Sequence, residues 1–393
     1  MIVLDEKLTV LRAQMREWGA DFRSAALELD GDPEAIRRHF DLPAARFLAT
    51  MGIPLEYGNE PERIGGHRFD GSTALQRVVV MEELACADAG MLVASPGPLL
   101  AGVVVSLCAD EAQKKWFYRR MLERPLWTCF ALTEPDRGSD ASAVETSLTP
   151  AADGEGAILN GAKRYVGNAA RAQIAVVFAR SGCGPMGLTA VMLETPADGF
   201  QAEPLGMLGL RGARIGAITL EDVRIAEKGF LGRHLPPIRR GLWAFVQTFN
   251  LLRPGVAAIA VGIARAAHDY VLANRLALSP AEADRIDALG RRIEGTRELV
   301  HLAAAAVDAD TGNGHLASAA KLRAAALAEE VTLAACQFFG PGARADHPLL
   351  DKWVRDARAM EFLEGTSNMQ RLNVFQSLQT RKLSSDNPFP VLA

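Results

Sequence analysis

The chain has 393 residues, with 43 Lys+Arg against 47 Asp+Glu, a formal net charge of -4, 49% hydrophobic residues and 23% charged ones. That length holds two or three domains with ample core, and the charge balance supplies no excess of cations to neutralise nucleic-acid phosphates or an anionic membrane. The composition also excludes a disordered chain, and the five cysteines, odd in number and never in a C-x-x-C pair, supply neither a disulfide framework nor a zinc knuckle.

The N-terminus passes from Met1-Ile2-Val3-Leu4 directly to Asp5, Glu6 and Lys7. It lacks the basic and apolar regions of a secretory signal, so a cytoplasmic location is expected. Up to residue 128, apolar positions three and four apart predict helices over 8–18, 42–51, 73–89 and 98–105, with breaks at Gly31-Asp32-Pro33 and over 52–66. Residues 90–109 carry no charge, but Ser95-Pro96-Gly97-Pro98 interrupts them, which predicts a buried helix and turn and no membrane insertion. From residue 129 to 236 the texture changes to short β-prone runs such as 174–179 and 188–193, separated by turn clusters such as 152–156. After Pro236-Pro237 helical periodicity returns over 256–276, 286–308, 316–338 and 352–378. Several of these helices are apolar nearly all round, as buried helices of a bundle or a subunit interface are. The expected division is 1–128 helical, 129–236 β and 237–393 helical.

The generic catalytic motifs are missing. The seven histidines never fall at i, i+4 spacing and none joins a Cys/Asp/Glu cluster, so no metal site is expected. There is no Walker A loop or G-x-S-x-G elbow. Three less generic segments carry the chemistry. In the first, Cys129 to Asp140, the Thr133 and Ser139 hydroxyls and the Gly138 backbone offer closely spaced donors for a planar heterocycle and a pyrophosphate. The same cluster also reads as a helix-capping turn. In the second, Leu159 to Ala169, Asn160-Gly161 predicts a hairpin turn, with Tyr165 alternating out of the following strand to cover a ligand ring or pack on a sheet face. In the third, Arg355 to Arg371, Glu364 closes an apolar stretch and precedes Gly365. Such surroundings raise a carboxyl toward the range of a general base. The alternative there is a helix-end Glu paired with Arg358 or Arg371.

Together these segments resemble the acyl-CoA dehydrogenase family, in order and over nearly the whole chain. The matching motifs are Thr133-Glu134-Pro135 with Gly138-Ser139-Asp140, Asn160-Gly161 with Lys163 and Asn168-Ala169, Leu208 to Gly212 with Glu221 to Arg224, Arg253-Pro254 to Gly262, Gln337 with Gly340, and Arg355-Asp356-Ala357 with Glu364-Gly365-Thr366. The resemblance implies an α+β fold: an N-terminal helical domain, a middle β-barrel or sandwich domain and a C-terminal four-helix bundle. It implies bound FAD and α,β-dehydrogenation of an acyl thioester, with an acyl-CoA or acyl-carrier-protein substrate, Glu364 as the base and hydride passing to flavin N5. FAD contacts carry over to Leu132 (backbone), Thr133, Gly138, Ser139, Tyr165, Gly167, Gly340, Thr366 and Asn368, with Arg275 and Gln337 directed to the FAD of a neighbouring subunit. A homodimer or homotetramer and an electron-transfer flavoprotein as acceptor follow from the same resemblance. Some family members carry the base immediately before the Arg of the motif at 253; here that residue is Leu252, which cannot accept a proton.

Three positions depart from the family pattern. Position 167 is Gly where the family commonly has a hydroxyl directed at flavin N5, which bears on oxygen reactivity and keeps a flavin oxidase or monooxygenase as a competing reading. The segment after Arg275 is shortened to Leu278-Ser279-Pro280, and Gly340 is followed by Pro341, which removes an N–H. A specialised dehydrogenase of a carrier-protein-tethered intermediate is the nearer alternative.

Overall fold

Local sequence signals set many of the element ends in the computed structural model, which describes residues 2–140 and 143–383; residues 384–393 of the expected C-terminal domain lie outside the described residues. The N-terminal part is helical: α1 (Glu6–Gly31), α2 (Pro43–Thr50), α3 (Ala74–Ala94), α4 (Leu99–Cys108) and α5 (Glu111–Glu123), with a small ribbon of β1 (Arg63–Ile64) and β2 (His67–Arg68). Pro43 opens α2, where its missing N–H has no helical partner to lose. Asp110 and Gln113 cap α5 reciprocally. The uncharged stretch 90–109 becomes the end of α3, a turn and α4, as its Pro-Gly-Pro interruption requires.

A seven-stranded sheet follows, built from β3 (Thr128–Ala131), β4 (Ser147–Pro150), β5 (Ala157–Val166), β6 (Ile174–Arg180), β7 (Leu188–Glu194), β8 (Phe200–Pro204) and β9 (Gly216–Ile225). Its order is β3-β6-β4-β5-β9-β8, with β7 paired to β6. The sheet curls around a core of alternating inward residues that includes Ala131, Leu148, Leu159, Val177, Ile218 and Val223. The expected hairpin at Asn160-Gly161 is not formed. Both residues lie inside β5, where the pairing with β9 slips between Leu159 and Gly161. The reason is tertiary. Asn160 exchanges hydrogen bonds with Asp222 across the slip, at 3.0 and 2.7 Å. Gly161, at φ 147, lies so close to Thr146 that a Cβ would approach its hydroxyl to 2.7 Å. A bulge needs the same Asn-Gly chemistry as a turn.

The C-terminal part is helical again: α6 (Gly241–Asn274), α7 (Pro280–Ala309), α8 (Gly314–Gln337), a short α9 (Ala343–Asp346), α10 (Pro348–Ala359) and α11 (Ser367–Leu383). Two expected spans change. The helix expected from 256 starts at Gly241 and runs through Pro254. The helix expected over 352–378 is cut into α10 and α11 by a turn at 360–366. One stretch, Pro237–Asn274, is long and apolar enough to cross a membrane by length and composition, but 67% of its apolar window is buried inside the protein, as a core helix demands.

Within the described residues the chain forms two compact units. One comprises 2–16, 73–89 and 249–383, the other 17–72 and 90–248. In the first, buried ion pairs tie α3 to the long helices: Arg265 donates to Glu82 and Glu83 at 2.7 and 3.0 Å, Arg297 to Glu82 at 2.7 Å, and Lys352 lies 2.6 Å from Asp88. Losing one partner of such a pair leaves an uncompensated buried charge, which typically costs 3–5 kcal/mol.

Candidate active site

In the unit built around the sheet, β3 delivers the chain into a loop over 132–140 that is fixed mainly through its backbone. The Lys163 ammonium, on the inward face of β5 and fully buried, donates to the Leu132 carbonyl at 3.0 Å and to Glu134 Oε1 at 2.9 Å. The Thr133 carbonyl accepts from Arg164 N at 2.8 Å. The Glu134 carboxylate also accepts from the N–H groups of Glu145 and Thr146, at 2.7 and 2.8 Å, and from the Thr146 hydroxyl at 2.5 Å. Burial works to raise the Glu134 carboxyl, but these donors overcome it and hold it below the usual range. Burial pushes the Lys163 amine down to about 8 against the pull of Glu134. The loop is therefore stitched to β4 and β5, while Gly138 and Ser139 at its far end remain exposed.

The same unit places Tyr165 and Gly167 at the end of β5. Tyr165 is 58% exposed, with the Arg164 guanidinium 5.4 Å from its ring centroid. Tyr165 and Asn168 both take left-handed backbone, at φ 61 and 60. Strain of this kind costs on the order of 1–3 kcal/mol per residue and persists only where the surroundings over-determine it. Here Arg171 supplies that constraint. Buried against Trp127, with its guanidinium 4.8 Å from the ring centroid, it donates to Asn168 Oδ1 at 2.8 and 3.0 Å and to the Gly212 carbonyl at 2.5 Å. Between the two left-handed residues, a Cβ added at Gly167 would meet nothing within 4 Å.

The other unit carries Glu364, Thr366 and Asn368 on the turn between α10 and α11 and its entry into α11. Glu364 is left-handed at φ 51, and Gly365 follows at φ 100. At Gly365 a Cβ would also approach Gln370 Nε2 to 2.9 Å, so both backbone and space require glycine. The Glu364 carbonyl accepts from Gln370 Nε2 at 3.0 Å and from Arg253 Nε at 3.4 Å. Gln370 Nε2 also reaches the Gly365 carbonyl at 2.9 Å. The Lys321 ammonium bridges the Glu361 and Gly365 carbonyls at 2.8 and 2.5 Å. Glu361 in turn accepts from Ser367 N at 2.9 Å, neutralising a free donor at the start of α11.

The Glu364 side chain itself is left unsupported. Its Oε2 is shut off from solvent and has no hydrogen-bond partner. Desolvation pushes its carboxyl up to about 8, against the opposing pull of Arg253 and Lys321. The arginine partners considered in the sequence are engaged elsewhere, Arg358 with Glu329 at 2.7 Å and Arg371 with Asn368 at 3.0 Å. A carboxyl with these properties is suited to taking a proton from a weak carbon acid near neutral pH.

The remaining predicted residues lie in the same unit as Glu364 but engage other partners. Arg275, just past α6, donates to Glu282 at 3.1 Å. Gln337, at the end of α8, accepts from Arg285 of α7. Gly340 turns at φ 84. Lys163 and Arg253 stand in the motifs, but their tasks in the two loops were not read from the sequence, and Thr146, Arg171, Lys321 and Gln370 were missed. A signal exists for two of them. Lys163 occupies an inward position of an alternating strand, and Lys321 stands alone among Ala317, Ala320, Ala324, Ala325 and Ala328 on a buried face. A lone charge on an apolar stripe marks a group with a buried task.

Comparison with known proteins agrees with this layout. Models described as acyl-CoA dehydrogenase, middle domain, and acyl-CoA dehydrogenase, C-terminal domain, match residues 129–223 and 239–379. The chain is 30% identical to the human mitochondrial short-chain specific acyl-CoA dehydrogenase over 344 residues, 84% of this chain and 81% of that protein. It is 29% identical to the short-chain specific acyl-CoA dehydrogenase of Megasphaera elsdenii over 390 residues, 93% and 97% of the two chains. The solved structure of butyryl-CoA dehydrogenase from the same organism superimposes with a TM-score of 0.82 at 26% identity, covering 96% of this chain and 100% of that one.

Proposed function

The chain belongs to the acyl-CoA dehydrogenase family of FAD-dependent oxidoreductases acting on CH–CH bonds, and from that premise we propose that it desaturates an acyl thioester between Cα and Cβ with Glu364 as the base. The observation that carries this reading is the Glu364 carboxyl: half-buried, with Oε2 shut off from solvent and without a hydrogen-bond partner, raised to about 8 and held on left-handed backbone. Such a group takes up the α proton more readily than an ordinary carboxylate does.

The residues present fit FAD. Gly138 and Ser139 expose main-chain and hydroxyl donors on a stitched loop, and Gly167 leaves open room where a Cβ would stand. Leu132 (through its backbone), Thr133, Gly138, Ser139, Tyr165, Gly167, Gly340, Thr366 and Asn368 would hold it, with Arg275 and Gln337 directed to a neighbouring subunit's cofactor. When bound, FAD supplies the hydride acceptor. Glu364 holds the abstracted proton on its carboxylate, and the fixed turn keeps that carboxylate aimed.

The names of the two relatives favour a short acyl-CoA as substrate. An electron-transfer flavoprotein is the proposed acceptor, and the apolar side chains exposed on α11, Leu372, Phe375 and Leu378, favour a homo-oligomer. A cytoplasmic setting and the division into 1–128, 129–236 and 237–393 belong to the same proposal. A second reading, a flavin oxidase on the same scaffold, is favoured by Gly167 alone, because that position offers no hydroxyl to the cofactor.

The test is the anaerobic visible spectrum of the purified holoprotein during addition of short, long and branched acyl-CoAs. The proposal expects prompt bleaching of the flavin band, first with short chains. A flavin band that no acyl-CoA bleaches would overturn the acyl-CoA substrate in favour of a carrier-bound thioester, and reoxidation in air within seconds would favour the oxidase.

A further inference from the structure

The base reading leaves unexplained why an ammonium is buried beneath the Glu364 turn. Lys321 is fully buried. Among the described residues it reaches no carboxylate at ion-pair distance; its contacts are the carbonyls of Glu361 and Gly365, at 2.8 and 2.5 Å. These oxygens lie four residues apart, at the two ends of the turn, and converge on one nitrogen. Burying a charge without a counter-ion is costly, and an apolar side chain would fill an Ala-rich helix face without that cost. The arrangement is intelligible if the cation's task is to gather carbonyls.

We propose that Lys321 is the positioning residue for Glu364, tying the two ends of the 361–365 turn together so that the Glu364 carboxylate keeps one direction. Three other groups touch the turn, and of them only Ser367 spans it, through the Glu361 side chain and not through its main chain. Gln370 holds only the Glu364 and Gly365 carbonyls, and Arg253 reaches the Glu364 carbonyl at 3.4 Å, beyond the usual range for a strong bond. Of these groups, Lys321 is the one that gathers main-chain carbonyls from both the entry and the exit of the turn. Its charge has a second effect: together with Arg253 it offsets the desolvation of Glu364. The charged groups around Glu364 are thus Arg253 from α6, Lys321 from α8 and Glu361 on the turn. Arg358 of α10 and Arg371 of α11 are engaged with Glu329 and Asn368.

This inference rests on the reading of Glu364 as base, so its test titrates Glu364 without turnover. In the holoprotein, the infrared band of the protonated Glu364 carboxyl is assigned as the one that Glu364→Gln removes, and its pH midpoint is measured in Lys321→Met. With the cation gone, the midpoint should rise by about one pH unit. Single-turnover reduction of the flavin by an acyl-CoA should slow at least tenfold, and the acid limb of its pH profile should move by the same amount as the band. Should Lys321→Met fail to fold, Lys321→Gln, which keeps N–H donors but no charge, is read the same way. An unmoved midpoint and pH limb in either folded variant would overturn the proposal. A shifted band in Lys321→Met combined with parent-rate reduction in Glu364→Gln would leave the positioning role standing and defeat the base reading instead.

Discussion

Lys163 and Lys321 are both fully buried lysines that grip main-chain carbonyls of a loop, and burial pushes both amines down to about 8. They differ in what stands opposite. Lys163 meets the Glu134 carboxylate at 2.9 Å, and that carboxylate is further satisfied by Thr146 and by main-chain donors. The sheet loop is thereby held by a closed, neutral network. Beneath the turn at 361–365 the cation meets only carbonyl dipoles, and the nearby Glu364 Oε2 is left without a partner. A closed network makes a rigid support, whereas an open one leaves a carboxyl whose proton can be exchanged with a ligand. The same residue type thus serves a holding task in one unit and a tuning task in the other.

The closed network is the easier to break, and breaking it should give the largest stability effect. Lys163→Met strands the Glu134 carboxylate and should destabilise the protein by about 3–5 kcal/mol, with loss of flavin on gel filtration. Adding Glu134→Gln should return a substantial part of that stability in denaturant unfolding. Next in size is the pH dependence that Glu364 imposes. Its folded carboxyl titrates near 8 against an ordinary 4.5, so over that interval the folded protein keeps a proton that the unfolded chain has lost. Stability contributed by this group therefore falls as pH rises from about 4.5 through about 8. Glu364→Gln should flatten the fall and raise stability at the upper end of that interval, measured by denaturant midpoints across pH.

Smaller effects separate backbone from side-chain support. Gly365→Ala places a Cβ on left-handed backbone against Gln370 and should cost about 1–2 kcal/mol in thermal unfolding, while slowing flavin reduction more than it lowers flavin content. Asn160→Ala removes the bonds across the β5 slip and should cost about 1 kcal/mol. It should leave flavin reduction unchanged, because it touches neither network.

Much of this was legible in the sequence, for physical reasons that differ by segment. Helices in the long C-terminal region announced themselves by periodicity, and the β texture of the middle region by short alternating runs between turn clusters. Glu364 was legible because a carboxylate after Phe362-Leu363 and before Gly365 is a local arrangement with a local consequence. The Asn160-Gly161 turn was misread because a bulge and a hairpin use the same residues, and only the pairing with β9 decides between them. The break between α10 and α11 was missed although Gly365 marks it, since apolar spacing continues on both sides. The buried supports, Lys163, Arg171, Lys321 and Gln370, act on carbonyls of residues distant in sequence, and a carbonyl leaves no trace in a string of side chains.

The central claim is that Glu364 removes the substrate's α proton, and rapid mixing of oxidised holoprotein with a short acyl-CoA under anaerobic conditions tests it most directly. In Glu364→Gln the amide keeps the shape but cannot take a proton, so flavin content should match the parent while reduction slows by roughly a thousandfold or more. Reduction of that variant at the parent rate would contradict the account.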